Sequence, residues 1–166
     1  MAQHLGATLA LILSATGAQA APVCMQALLQ GSEGSLALTV EIAADPASRA
    51  TGLMHRDHMP LNHGMLFLFD APGRRSFWME NTRIPLDVVP LDADGTVLEV
   101  LEGVPYSRDA LTPAQPVQRI LEVNAGIVAT MGALPGGRFV LLGGVDCATG
   151  LLDPFAAPLA SSPPSP

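Results

Sequence analysis

Apolar and polar positions alternate from Ser35 to Ile42 (Ser-Leu-Ala-Leu-Thr-Val-Glu-Ile), the pattern of a strand with one face buried. Asp45-Pro46 follows as an N-cap with proline at the first helical position, which predicts a short helix from there to about Met54. Gly64-Met-Leu-Phe-Leu-Phe69 is a continuous apolar run between turn signals and predicts a buried strand, with Asp70 to Gly73 as a turn. Further strands are expected from Arg75 to Met79 and from Leu86 to Leu91, with Pro90 marking a bulge or an edge in the second. Asp92-Ala-Asp-Gly95, between Val88-Val89 and Val97-Leu98, has the composition of a hairpin turn. Arg119 to Val123 and Arg138 to Leu142 complete the strands. Gly126 to Leu134 between them reads as a short helix or turn stopped by Pro135-Gly136-Gly137. Many short strands, one or two short helices and frequent turns predict a mainly β protein, a single compact β-sandwich or barrel.

The two ends of the chain have a different character. Leu5 to Ala15 is apolar and uncharged, and Ala18-Gln19-Ala20 follows it as a small-residue cleavage pattern. Together they predict a cleavable signal peptide over residues 1–20 and hence an exported, periplasmic or secreted protein. Residues 21–34 are expected as an N-terminal extension, 35–153 as the β domain and 154–166 as a disordered tail. That tail is rich in Pro, Ser and Ala and has little to bury. Beyond the leader, no apolar stretch is long enough to span a bilayer as a helix.

Charge and cysteine content narrow the partners. Every one of the eight basic residues is Arg, set against 15 acidic residues for a net charge of −7. Scattered Arg on an acidic chain lacks the clustered positive field that a phosphate backbone requires, so nucleic-acid binding is not expected. The two cysteines, Cys24 and Cys147, are far apart and not in a Cys-x-x-Cys spacing, which favours a disulfide joining the ends of the domain over a redox or metal pair.

Three stretches then carry a family resemblance: Gly52-Leu53-Met54 with Arg56; Gly64-Met65-Leu66-Phe67; and Phe77-Trp78-Met79 followed by Asn81-Thr82 and Pro85-Leu86-Asp87. With Leu121-Glu122 and Gly126 they resemble the bacterial and archaeal domain of unknown function family 192, over Arg49 to Gly126. The resemblance implies a compact, predominantly β domain of jelly-roll-like or barrel-like arrangement, often exported and without an established activity. The chain departs from the family at Glu80, where a Lys commonly stands, at Pro90, and at Gly137-Arg138. Because the first reverses a charge beside the strongest motif, no anionic ligand carries over.

Three constellations bear chemistry. Trp78, the sole tryptophan, is either a stacking platform with Asn81, Thr82 and Asp87 as polar contacts, or a core filler whose indole N–H finds a carbonyl. Asp87, opening an apolar strand, requires a partner such as Arg56 or Arg83, or else a raised pKa that would suit catalysis with His63, Glu80 or Glu122. His55, His58 and His63, interleaved with Met54, Met59 and Met65, have ligand types that suit copper or zinc, or decorate a solvated loop. Asp92-x-Asp94-Gly95 lacks the later ligands of a calcium loop, and no phosphate-binding loop, nucleophile elbow or His-Glu-x-x-His helix is present. The leading expectation is a non-enzymatic exported domain that holds a small polar ligand through Trp78, Met79, Asn81, Thr82, Asp87 and Arg56, or that serves an exported protein partner. One alternative is an exported hydrolase or lyase using Asp87 or Glu122 with His63; another is copper or zinc binding through His55, His58 and His63.

Overall fold

A computed structural model describes residues 21–151, so the expected leader (1–20) and tail (154–166) lie outside the described residues. The protein is mainly β, with seven strands in one mixed sheet and two short helices. The strands are β1 (Cys24–Gly31), β2 (Gly34–Ala43), β3 (His63–Gly73), β4 (Leu86–Leu91), β5 (Leu101–Gly103), β6 (Val117–Asn124) and β7 (Arg138–Val145). They lie in the order β5-β4-β6-β3-β2-β1-β7. Neighbours are antiparallel except β2 and β3, which run parallel because helix α1 (Pro46–Thr51) carries the chain back between them.

The sheet is not closed, but its ends meet at one corner. Asp92 to Thr96 forms the expected hairpin turn, with the Asp92 carboxylate accepting from the N–H groups of Asp94 and Thr96 at 2.9 and 2.7 Å. Just beyond it, Val97 N–H donates to the Gly137 carbonyl at 2.8 Å and Phe139 N–H donates to the Gly95 carbonyl at 2.7 Å. The segment after β4 is thereby tied to the start of β7. The curled sheet encloses a first core built from Met25, Leu29, Leu38, Val40, Leu66, Val89, Leu121, Val123 and Phe139. Helix α2 (Ile127–Thr130), within the stretch expected to hold a short helix or turn, adds Val128 to it.

Because side chains alternate across a strand, the other face of β3, β4 and β6 supports a second core. Met65 and Phe67 of β3, Leu86 and Val88 of β4, and Ile120 and Val117 of β6 meet Leu53, Met59, Met79 and Ile84 from the covering loops. Burial on both faces explains the continuous apolar run Gly64–Phe69 and the buried state of every residue of β4.

Several expectations are refined. Segment 21–34, expected as an extension, carries β1, which lies inside the sheet between β2 and β7. Arg75–Met79, expected as a strand, joins no ladder of the main sheet. Phe77 alone bridges Leu111, because its neighbour is a loop. Asp70–Gly73, expected as a turn, continues β3 through a register shift between Leu68 and Gly73. Pro90 lies within β4 opposite Ile120 of β6, past the three residues that pair with β5. Disulfide Cys24–Cys147 joins the start of β1 to the segment after β7, as expected.

Candidate functional site

The second core is incompletely covered, and a cleft of about 430 Å³ opens onto it. One wall is α1 and the turn after it. Asp45 caps the helix, accepting from Ala47 and Ser48 N–H at 2.9 and 3.0 Å, while Pro46 supplies a preset φ at the first position. Gly52 ends it at φ 50°, a left-handed value suited to glycine, and its N–H donates to Ser48 at 2.8 Å. Helix α1 buries none of its residues. Arg49 attaches it to the sheet instead, donating to the Leu68 carbonyl at 2.9 Å and lying 5.1 Å over the Phe69 ring.

The facing wall is the segment Arg75 to Trp78. Phe77 packs edge-on against Phe67 at 5.4 Å and Phe69 at 6.3 Å. Arg75 stacks over Phe69 at 4.1 Å and donates to the Ala71 carbonyl at 2.9 Å, and its buried Nε lacks a partner. Alternation along this segment turns Trp78 outward. It is 53% exposed and stands at the rim of the cleft, which decides against the core-filling reading.

Glu122 of β6 completes the lining. It sits opposite Met65 of β3 and Val88 of β4 in register, so its side chain shares the face of the second core. It is 6% exposed, and burial pushes its carboxyl up to about 8 with no hydrogen bond or opposite charge to offset that. At neutral pH the group is therefore largely protonated, able to donate as well as accept. Buried Thr82 also lines the cleft.

Loop backbone near the rim is unusual. Among the described residues, His55, Asn81 and Tyr106 are the non-glycine residues with positive φ, at 64°, 61° and 61°. They belong to one connected patch: His55 N–H donates to the Asn81 carbonyl at 2.9 Å, and Tyr106 N–H to the Thr82 carbonyl at 3.0 Å. Each such residue costs about 1 kcal/mol or more, and strain of this kind gathers where a loop shape is functionally held. Ion pairs brace the same loops: Arg56 with Glu41, Arg83 with Asp57, and Arg108 with Glu80 at 2.6 Å.

The sequence-expected residues divide accordingly. Trp78 and Thr82 come together in the cleft, whereas Met79 is core at 1% exposed and Asn81 is an outer-loop residue. Arg56 is engaged by Glu41 rather than by Asp87. Asp87 pairs in register with Val123, on the opposite face from Glu122. Its carboxylate accepts from Val128 N–H at 3.1 Å, capping α2, whose own N-cap Gly126 has no side chain to do so. The expected Asp87–Arg56 or Asp87–Arg83 fork is thus absent, and the sheet separates Asp87 from Glu122. His63 is outside the cleft lining. Among the described residues no three His, Cys, Asp or Glu side chains gather as metal ligands, so His55, His58 and His63 do not converge. Arg49, Arg75, Phe69 and Met54 were not picked out for the site, although Met54 stands in the Gly-Leu-Met motif.

The model of the family DUF192, described as "Uncharacterized ACR, COG1430", matches residues 28–141. The chain belongs to this family. As a DUF192 domain it is similar to a crystal structure from Sinorhizobium meliloti 1021, named as a candidate transcription regulator, at 37% identity and a TM-score of 0.70. That match covers 74% of this chain and 97% of the other. It is also similar to a protein of unknown function from Novosphingobium aromaticivorans DSM 12444, at 33% identity and TM-score 0.67, covering 72% and 92%. No curated protein matches the chain. Within this DUF192 domain, the motif residues Gly52, Leu53 and Met54, Phe67, Phe77 and Trp78 all fall in the wall or floor of the one cleft.

Proposed function

We propose that this DUF192 domain acts outside the cytoplasm as a non-enzymatic binding domain for a small polar ligand, held in the cleft between α1 and Trp78. The observation that carries the reading is Glu122, a buried carboxyl without a partner, facing an opening whose rim is an exposed tryptophan. A pocket lined by aromatic side chains with a few placed polar groups is the usual form of a small-molecule site. Burying Glu122 unpaired costs folding free energy that a ligand hydrogen bond would offset. Binding is favoured over acid–base catalysis because Glu122 has no second carboxyl and no histidine beside it in the lining.

The extracytoplasmic setting is supported by the apolar leader sequence and the A-x-A pattern. The disulfide is consistent with an oxidising compartment, and none of the described helices is long and apolar enough to cross a membrane.

Trp78 is the sole tryptophan, so intrinsic fluorescence reports on the site directly. The disulfide-bonded protein, titrated with neutral sugars, small carboxylates and metal ions, is expected to show a fluorescence change and a raised Tm with one polar organic class. A ligand at a hundred times its Kd adds about 2.7 kcal/mol. Trp78→Ala, altering an exposed residue, is expected to leave the unfolding midpoint of the free protein almost unchanged and to abolish the ligand-induced rise in Tm, the readout that does not depend on the indole itself. A flat response throughout overturns the small-ligand reading in favour of a protein partner.

A further inference from the structure

We propose that the cleft takes a small organic monocarboxylate, its carboxylate held by Arg75 and Arg49 and its apolar body lying among Leu53, Phe77 and Trp78. The inference rests on the small-ligand reading above and names its ligand class. Arg49 and Arg75 both line the cleft, and both guanidiniums are gathered on one ring, their central carbons 5.1 and 4.1 Å from the centroid of Phe69. Among the described residues neither has a carboxylate within ion-pair reach, whereas Arg56, Arg83 and Arg108 are each matched to an acid. Only part of each guanidinium is engaged. Arg49 donates through Nη1 to the carbonyls of Ala44 and Leu68, and Arg75 donates through Nη2 to that of Ala71. The buried Nε of Arg75 has no partner. A cationic donor taken out of water without an acceptor destabilises the fold, and a ligand oxygen would offset that.

Local charge here runs against that of the whole molecule. The chain carries a net −7, so its overall field repels anions, and an anion must be selected by the lining itself. Among the lining residues Glu122 alone is acidic, and burial holds its carboxyl largely protonated at neutral pH. It therefore leaves the two arginines uncontested and adds an O–H donor. Glu80, which reverses a charge beside the strongest sequence motif, is outside the lining and paired with Arg108. A carboxylate matches the planar guanidinium through two parallel hydrogen bonds. The rest of the wall sets the body of the ligand. Leu53, Met54, Phe67, Phe77 and Trp78 offer apolar and aromatic surface that a bare inorganic anion would leave wet. A second negative charge on the ligand would have to face that surface or Glu122, so one carboxylate is the limit.

The test is calorimetric titration of the disulfide-bonded protein at about pH 6, where Glu122 is protonated, with benzoate, 3-phenylpropionate and hexanoate, each beside its neutral amide. At least one acid is expected to bind about tenfold or more tightly than its amide, and more tightly than acetate or inorganic phosphate. Raising NaCl from about 0.05 to about 0.5 M is expected to weaken that acid about threefold or more and to leave its amide unchanged. Arg75→Gln is expected to remove the preference for acid over amide, and Arg49→Gln to reduce it about threefold or more. Both arginines also pack on Phe69, so the salt series in the unaltered protein stands as the measurement that needs no variant. Arg74→Gln, which removes an exposed charge outside the lining, is expected to leave every affinity within about twofold. Equal affinity for acid and amide, salt-independent binding of the acid, or an acid preference that survives in both Arg75→Gln and Arg49→Gln overturns the arginine-held anion and leaves the small-ligand reading standing. Phosphate or acetate binding as tightly as the best acid overturns the apolar body, and with it the ligand class. Binding of neutral sugars but of no acid likewise overturns this inference alone. Absence of any binding overturns it and the proposed function together.

Discussion

Replacing Glu122 with Gln isolates the central physical feature of the cleft. The carboxyl is buried and unpaired, and its folded-state pKa of about 8 lies well above its ordinary 4.5. Between those values the folded protein holds a proton that the unfolded chain releases. Stability therefore falls as pH rises, at up to about 1.4 kcal/mol per pH unit, and levels off above about 8. The whole penalty is about 3–5 kcal/mol, most of it present by neutral pH, which is a large share of a typical domain's stability. Gln has the same shape and no charge to desolvate, so Glu122→Gln is expected to match wild type near pH 5 and to exceed it progressively toward pH 8. The assay is urea unfolding of both proteins at a series of pH values with the disulfide intact. The two proteins differ only at residue 122, so the difference between the two curves belongs to Glu122. Parallel curves would refute the reasoning, because they would mean that the carboxyl ionises freely and the cleft is well hydrated.

Three further outcomes are expected. Replacing both Cys24 and Cys147 with Ala frees a span of 123 residues and should lower unfolding free energy by about 4–5 kcal/mol, visible as a fall in urea midpoint that reductant reproduces in wild type. Asp87→Ala leaves the buried Val128 N–H without an acceptor and should cost about 1–3 kcal/mol by thermal or urea unfolding, with Asp87→Asn costing less because an oxygen remains. Gly64→Ala would place a Cβ 2.6 Å from the Glu122 carbonyl oxygen and 3.0 Å from Val123 Cγ1, so β3 and β6 must part, at about 1–3 kcal/mol in the same assay.

The Gly64 case shows what the family motif contains. Gly64 is there because β6 approaches closely, Gly52 because α1 ends at a positive φ, and Leu53 and Phe67 because they fill the second core. Trp78 has no such structural reason. Its neighbours Phe77 and Met79 are turned inward, and it alone of the three faces solvent. Glu122 carried a legible signal: a single carboxyl in the apolar run Ile120-Leu-Glu-Val123. What could not be read was its partner, or the lack of one.

Local chemistry was sufficient for the elements themselves. Alternation over Ser35–Ile42, the Asp45-Pro46 cap, the Asp92–Gly95 turn and the lone cysteine pair each depend on residues adjacent in the chain or on a choice of one partner, so composition and spacing specify them. Tertiary structure decided the rest, because it depends on pairings between distant segments. It brought β1 from an apparent extension into the sheet, and it placed Asp87 and Glu122 on opposite faces of one ladder although both are acidic residues in apolar strands. A one-residue difference in strand register exchanges the two faces, and nothing local to either residue records that register. Whether a buried carboxyl caps a helix or waits in a cleft is settled by which face it shares, and here that was set by the sheet.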